Sequence, residues 1–473
     1  MSAHKLSYAE SLQCYETLMA RIDDPCAQLR GHQIFSNIRA GHQRSGLALQ
    51  FRRLAGGIFQ YTGHVILALW TLLSAALIRV RSSGASGHFV VDMTINGKAD
   101  HRSAYLRRVL GEGSVVALYH YSDAWVSIRS LGTKGLSTYP ESWVKVLWPL
   151  WAMQMWWTVK VDRHADRLLA MAYREASYGR LYEAMLRALF LILRIRRILL
   201  LDDPRNVGVY CSAARSLGVS TVGYMHGKFN RYHVGLKSAP FDVYLVWSQY
   251  FKSKIISMWG GKYPGEIITC GLIRDGAREC ISEVKAVDSL CILWLDEDEV
   301  PLSEIKSYFE ALSKVQGVRV LFRRKPRPVH VQTEMPAWYI GAFPCDEVGG
   351  FWDSLSQNSV DLVIGCHSTA LLEAAMAGVI PLAISSSFDY ANDFSQDGVV
   401  IPCASPAQLV DQIEELKRSP DRRRPSTWPQ LQLAISPFEP SVVDMTLLRE
   451  GFVLNGVAPS GRASNDGLPP CRS

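Results

Sequence analysis

A short β-branched run, Thr221-Val222-Gly223-Tyr224, passes directly into Met225-His226-Gly227, and the same kind of junction recurs about 140 residues later. There Val360 to Gly365 enters Cys366-His367-Ser368-Thr369, followed by a helical run from Ala370 to Ala377. A strand that ends in a polar turn and then a helix is the repeating unit of a parallel sheet covered by helices. Ligands of such open sheets sit outside the carboxyl ends of the strands. Two such junctions, each closing its own run of strand-helix pattern, predict two α/β domains with a site in the crevice between them.

The rest of the chain carries the same rhythm. Phe89 to Thr94 is a β-branched run ended by Asn96-Gly97, a turn signal; a helix is expected through Tyr105 to Leu110 and a strand from Ser114 to Tyr119. A helical pattern covers Ala165 to Leu193, and Arg196 to Leu201 reads as a buried strand with Asp202-Asp203 at its carboxyl end. That acid pair resembles a metal-binding pair, but Pro204-Arg205 behind it favours the start of a capped helix. Further strands are expected at Phe241–Trp247, Ile267–Thr269, Ser289–Leu295, Val318–Phe322, Asp361–Gly365, Val379–Ile384 and Val399–Ile401. A boundary falls near Gly276 to Val287. The domains are therefore read as 1–276, 277–430, and a C-terminal segment with a flexible tail over 431–473.

At 473 residues there is chain enough for two full cores, and 48% hydrophobic with 20% charged residues is the balance of a globular protein. A formal charge of +7 over this length does not argue for nucleic acid, and suits an anionic membrane surface or a phosphorylated substrate better. Ten cysteines without a CxxC pair read as free thiols of a reducing compartment. No secretory leader pattern is visible in the sequence. Val65 to Ile78 is a run of 14 mostly apolar residues. A spanning helix needs about 20, so the run is read as a buried or membrane-dipping helix. Trp143, Trp148, Trp151, Trp156 and Trp157 cluster behind it and suit either a core or a membrane interface.

Four groups carry candidate chemistry. Gly227 after His226 permits a sharp turn that leaves the imidazole at a strand end, where it can take a proton from an attacking hydroxyl; alone, the dipeptide also fits a solvated loop histidine. Ser368 or Thr369 fits a helix N-cap whose open N–H groups suit a phosphate, with His367 beside it and Glu373 one turn in, where it faces a ribose hydroxyl or simply favours the dipole. Ordinary capping without a ligand gives the same residues. Arg324, Lys325 and Arg327 would neutralise a phosphate leaving group at the end of a strand, or form a solvated basic loop. Asp296-Glu297-Asp298-Glu299 would supply a general base, Glu297, or orient His226; acidic runs are more often solvated. Walker, GxGxxG, GxSxG and HExxH patterns do not occur, and no residue spacing supports a metal or another cofactor.

The succession Gly223-Tyr224-Met225-His226-Gly227, Phe241 to Ser248 and Ile268 to Asp275, with Arg324-Lys325-Pro326-Arg327-Pro328 and His367 to Ala374 after it, resembles one found in bacterial GT-B-fold transferases of surface-polysaccharide assembly. These include capsule and lipopolysaccharide glycosyltransferases and the CDP-glycerol glycerophosphotransferases of teichoic acid synthesis. The likeness runs over roughly residues 195 to 405; Met225 stands where the family has Gln, Lys325 where it has His, and Cys366-His367 where it has a smaller pair. The resemblance implies two Rossmann-like domains with parallel sheets facing a central cleft. It also implies a nucleotide-sugar donor held by the C-terminal domain, a glycan or lipid-linked acceptor held by the N-terminal one, His226 as base, and Ser368 and Thr369 as phosphate anchor. The expected activity is metal-independent sugar transfer at the inner face of the cytoplasmic membrane. Transfer of a polyol phosphate, or a non-catalytic glycan-binding or export-associated role, are the alternatives.

Overall fold

The computed structural model describes residues 6–40, 47–81, 88–92, 94–95, 98–99, 101–110, 115–119, 137–147, 167–202, 206–237, 240–273, 289–297, 300–325, 336–388, 390, 392–423, 436, 438–452 and 454. The expected region of the domain boundary, Arg327, Asp298, Glu299, four of the five clustered tryptophans and the segment beyond Pro459 lie outside the described residues.

The first sheet holds seven strands: β1 His88–Asp92, β2 Val115–Tyr119, β3 Ser137–Thr138, β4 Arg197–Leu201, β5 Ser220–Tyr224, β6 Val243–Val246 and β7 Glu266–Thr269. Their order is β3-β2-β1-β4-β5-β6-β7, parallel throughout. The second sheet holds β8 Leu290–Leu295, β9 Val318–Arg323, β10 Leu362–Gly365, β11 Ile380–Ile384 and β12 Ile401–Cys403, ordered β9-β8-β10-β11-β12 and again parallel. Both are doubly wound Rossmann-type orders, one reversing between β1 and β4 and the other between β8 and β10. The chain is thus an α/β protein of two Rossmann-like domains, the GT-B arrangement expected from the sequence.

Burial explains why these segments are strands. Ile198, Leu199, Leu200 and Leu201 of β4 are all buried, as they must be in the middle of a sheet covered on both faces. In β8 the two faces separate: Leu290, Ile292 and Trp294 enter one apolar cluster, while Cys291, Leu293 and Leu295 enter another. The second of these clusters is continuous with the core of the first sheet, so one face of the second domain packs into a shared interior. Carboxylates fix both registers in the same manner. Asp242 Oδ2 accepts from the N–H and hydroxyl of Thr221, each at 2.8 Å, and Asp361 Oδ2 accepts from the N–H of Cys291 at 2.8 Å.

Two elements go beyond the sequence reading. Within the C-terminal segment, the helix Pro440–Arg449 returns to the first sheet: Val443 and Leu447 join its core, Glu439 N–H donates to Cys270 O at 3.0 Å, and Arg449 pairs with Glu266 at 2.6 Å. The second is the apolar run at Val65. It lies inside a 35-residue helix, Leu47–Arg81, and its apolar part is 20 residues, Tyr61–Val80, long and apolar enough by composition to cross a membrane. The 14-residue limit read from the sequence is therefore too short, because Tyr61, Thr62 and the stem of Arg79 continue the helix past the strictly aliphatic positions.

Gly223 tests the packing between β5 and the loop before β6. A Cβ there would run into the ring of buried Phe241. Gly223→Ala should therefore cost about 1–3 kcal/mol through overpacking, read as a lower urea midpoint at unchanged slope. An unaltered midpoint would contradict this packing.

Candidate functional site

The two strand-order reversals define where the site is built. Asp202 follows β4 directly and His226 follows β5 by one residue; the pairing of Leu201 with Tyr224 brings the two together across 24 positions of sequence. The Asp202 Oδ1 accepts from the backbone N–H of His226 at 2.7 Å and meets its Nδ1 at 2.5 Å. Its Oδ2 accepts from the hydroxyl of buried Tyr244. Because Asp202 accepts in all three contacts, the ring hydrogen belongs on Nδ1, and the lone pair of Nε2 is the basic position of the imidazole. The His226 side chain is 28% exposed while that of Asp202 is 2% exposed, so the buried acid holds an open imidazole.

The acid in contact with His226 is thus Asp202, a role the sequence had offered to the Asp296–Glu299 run. Glu297 instead serves the second sheet. Its Oε1 accepts from the N–H groups of Cys366, His367 and Ser368 at 2.7, 3.1 and 3.1 Å, and Oε2 lies 3.3 Å from His367 Nδ1. Burial raises the Glu297 carboxyl above its ordinary range, opposed by those three N–H donors and by the charge of Lys228. The turn after β10 is therefore an anion-binding nest that already contains a carboxylate from the end of β8. The N–H groups of Cys366, His367 and Ser368 are thus engaged within the protein, ahead of the helix whose first turn was expected to hold a phosphate. Gly365 makes the approach possible, since a Cβ would stand 2.9 Å from Glu297 Oε1.

Ser368 Oγ accepts from Ala370 N–H at 3.2 Å, and Thr369 is the N-cap residue of the helix Ala370–Met376 without a side-chain cap bond. Glu373 Oε2 accepts from the indole N–H of Trp352 at 2.9 Å, so one oxygen is engaged within the second domain. Arg324 and Lys325 are exposed, and the Lys325 N–H donates to Asp296 Oδ2 at 3.2 Å. Gly227 leaves open space where a Cβ would stand.

The residue that links the two turns escaped the sequence reading. Lys228 is 8% exposed and its Nζ donates to the carbonyl of Tyr390 at 3.5 Å, over the rings of Tyr390 and Phe394. Burial lowers its pKa to about 8, and the charges of Asp393 and Glu297 oppose that fall. Tyr390 in turn packs against the ring of His367 with centroids 5.6 Å apart. The His226–Lys228 segment of the first domain thereby faces the Cys366–Ser368 turn of the second. Further ties hold that relation: Asp397 accepts from Tyr250 at 2.5 Å and from Lys254 at 2.6 Å. The signal for Lys228 was its position two residues beyond His226, which a charge count cannot distinguish from a surface lysine.

A comparison with protein-family models finds no match, and a comparison with curated proteins finds none either. Among solved structures, an α,α-trehalose 6-phosphate synthase from Burkholderia multivorans superposes with a TM-score of 0.47 at 13% identity, over 77% of this chain and 98% of that one. MurG from Acinetobacter baumannii gives 0.46 at 12%, over 77% and 99%. A structure described as LpCGTa in complex with UDP gives 0.48 at 10%, over 77% and 99%. Likenesses this slight say nothing about activity.

Removing Glu297 tests the filled nest. Glu297→Ala strands one buried and two partly buried N–H groups and should cost about 1–3 kcal/mol, the penalty of the buried group left unsatisfied. Added inorganic phosphate should raise the thermal midpoint of the variant more than that of the wild type, because the anion can take the vacated place. Equal responses in the two proteins would contradict the assignment.

Proposed function

We propose that the chain is a glycosyltransferase that moves a sugar from a nucleotide donor to a growing, lipid-linked bacterial cell-surface glycan. The observation that carries this reading is the Asp202–His226 pair, which faces buried Lys228 and the Glu297-filled turn at the strand-order reversals of two parallel sheets. Residues 1–276 hold the acceptor in this reading, 277–430 hold the donor, and 431–473 lead back to the first domain.

In this reading the step uses that geometry as follows. The acceptor hydroxyl gives its proton to His226 Nε2 as its oxygen bonds to the anomeric carbon. The bond from that carbon to the donor phosphate breaks, and the nucleoside diphosphate departs with the electron pair. Asp202 stabilises the imidazolium that forms and keeps the ring in one tautomer. Lys228, rather than exposed Lys325, meets the charge on the departing phosphate; within a half-buried cleft a fixed cation acts with little reorganisation. Glu297 positions the turn that Ser368 and His367 present to the donor.

Contact with a membrane is part of the same reading. The apolar helix turns Leu69, Leu72, Leu73 and Val80 outward, exposed by 59, 49, 51 and 75%, while Leu67, Ala68, Thr71, Ser74 and Ala75 face inward. A helix with its larger aliphatic side chains outside suits a lipid interface, where a lipid-linked acceptor would be met.

Two measurements test the proposal. With a panel of nucleotide sugars, His226→Ala should lower kcat by about 10²–10⁴-fold with donor affinity little changed. Unaltered turnover would remove His226 from the chemistry, and release of a nucleoside monophosphate with polyol-phosphate transfer would contradict sugar transfer. Second, Lys228 is cationic below its pKa of about 8 and neutral above it. Affinity for a nucleoside diphosphate should therefore fall as pH rises through that value, and Lys228→Met should abolish the dependence. An affinity that stays level across that range in the wild type would contradict the role of Lys228.

A further inference from the structure

A second cavity adjoins the cleft and is assigned no role in the transfer step. It encloses about 300 Å³ between the helices Tyr8–Met19 and Gly31–Ala40 of the first domain, the loop at Tyr232-His233, and Tyr390 of the second. Its walls are mostly aromatic. Tyr8 lies within 4.8 Å of Tyr390 and 5.1 Å of Tyr232, ring centre to centre, with Phe35 at 6.0 Å. Polar groups are few and fixed. Arg39 lies over the Tyr8 ring at 3.6 Å, and Ser36 Oγ lies 3.4 Å from His32 Nε2. No carboxylate lines the cavity among the described residues.

His233 gives the polar side of the cavity a defined character. Burial pushes its pKa down to about 3, helped by His32, Lys228 and His226, so the ring is neutral at ordinary pH. Its Nδ1 lies 3.0 Å from the backbone nitrogen and 3.1 Å from the Oδ1 of Asn230, and its Nε2 lies 3.5 Å from the hydroxyl of Tyr390. The cavity is thus lined by the neutral His233 ring, the hydroxyl-bearing residues Tyr8, Ser36, Tyr232 and Tyr390, and the Arg39 guanidinium, set among aromatic rings. This is the composition that recognises a sugar: the C–H face of a pyranose lies on aromatic rings while its hydroxyls take a small number of directed hydrogen bonds.

We propose that this cavity is a carbohydrate subsite that holds one pyranose ring of a glycan between the two domains. It shares a wall with the cleft, because Tyr390 lines it and also accepts from Lys228 and packs on His367. A glycan seated here lies against Tyr390, the residue that Lys228 and His367 also contact. The inference rests on the transferase reading only in naming this glycan the acceptor; the sugar site itself stands on the cavity. Occupancy also bridges elements of both domains, so binding here would favour the closed relation of the two turns.

The test uses methyl glycosides of glucose, galactose, mannose, N-acetylglucosamine and glucuronic acid, with saturation-transfer NMR on the full chain. At least one should receive saturation from the protein. Ser36→Trp fills the cavity and should weaken that glycoside by about tenfold or more, whereas Ser36→Ala should keep most of the affinity. Amide exchange on the wild type provides a readout that needs no variant: the bound glycoside should slow exchange in Gly31–Ala40 and around Tyr232-His233. A panel in which no glycoside binds would overturn the proposal. So would affinity that survives Ser36→Trp, or protection found only elsewhere. A parallel titration with nucleoside diphosphates separates the two ideas, since absent nucleotide binding sinks the transferase reading while leaving the sugar result to stand or fall alone.

Discussion

Asp202 accepts from the backbone and the ring of His226 and from Tyr244, and the turn after β5 in the first domain takes its shape from those contacts. A buried carboxylate is tolerable only where donors surround it. The donors here come from the turn after the neighbouring strand β5 and from within the next strand, β6. The turn after β5 consequently has little freedom: His226 points outward with a set tautomer, and Lys228 is carried into the gap behind it. The second domain solves the same problem with Glu297, whose oxygen gathers three N–H groups of the turn after β10. Each sheet thus ends in a turn fixed by an acid from the strand next to it, at the strand-order reversal in the second sheet and one strand beyond it in the first.

Charge balance across the gap follows from this construction. Lys228 is drawn toward neutrality by burial and toward its cationic form by Glu297 and Asp393. Glu297 is pushed toward its protonated form by burial and held back by Lys228 and the turn. The two groups are therefore interdependent, and a polyanionic ligand entering between them would be met by a cation whose charge responds to its surroundings. Aromatic side chains from both domains, Tyr8, Tyr232, Phe388 and Tyr390, close one side of the gap and join it to the sugar-sized cavity.

The fold was legible because its strands are short, β-branched and separated by glycine or polar turns, a pattern that survives without tertiary context. The junctions at His226 and at Cys366-His367-Ser368 were visible for the same reason: chemistry-bearing residues stood at strand ends. Their partners were not visible. Asp202 meets His226 only because β4 and β5 pair in parallel, and the proline after Asp203 reads as a helix start. Glu297 sits in an acidic run that reads as solvated, and only the strand order brings it under the turn of β10. The helix Leu47–Arg81 was underestimated because arginines and a Gly-Gly pair interrupt the hydropathy that its backbone carries through. The returning helix Pro440–Arg449 has no strong periodic signature, and its place is set by Val443 and Leu447 meeting a core built elsewhere.

One structure would decide the matter most directly: crystals of the chain soaked in turn with UDP, GDP and CDP. The account predicts that one nucleotide orders with its phosphates in hydrogen-bond contact with Lys228 Nζ and beside the Glu297-held turn, with His226 opposite the terminal phosphate. A nucleotide bound away from Lys228, with His226 and the turn after β10 both remote from its phosphates, would contradict it.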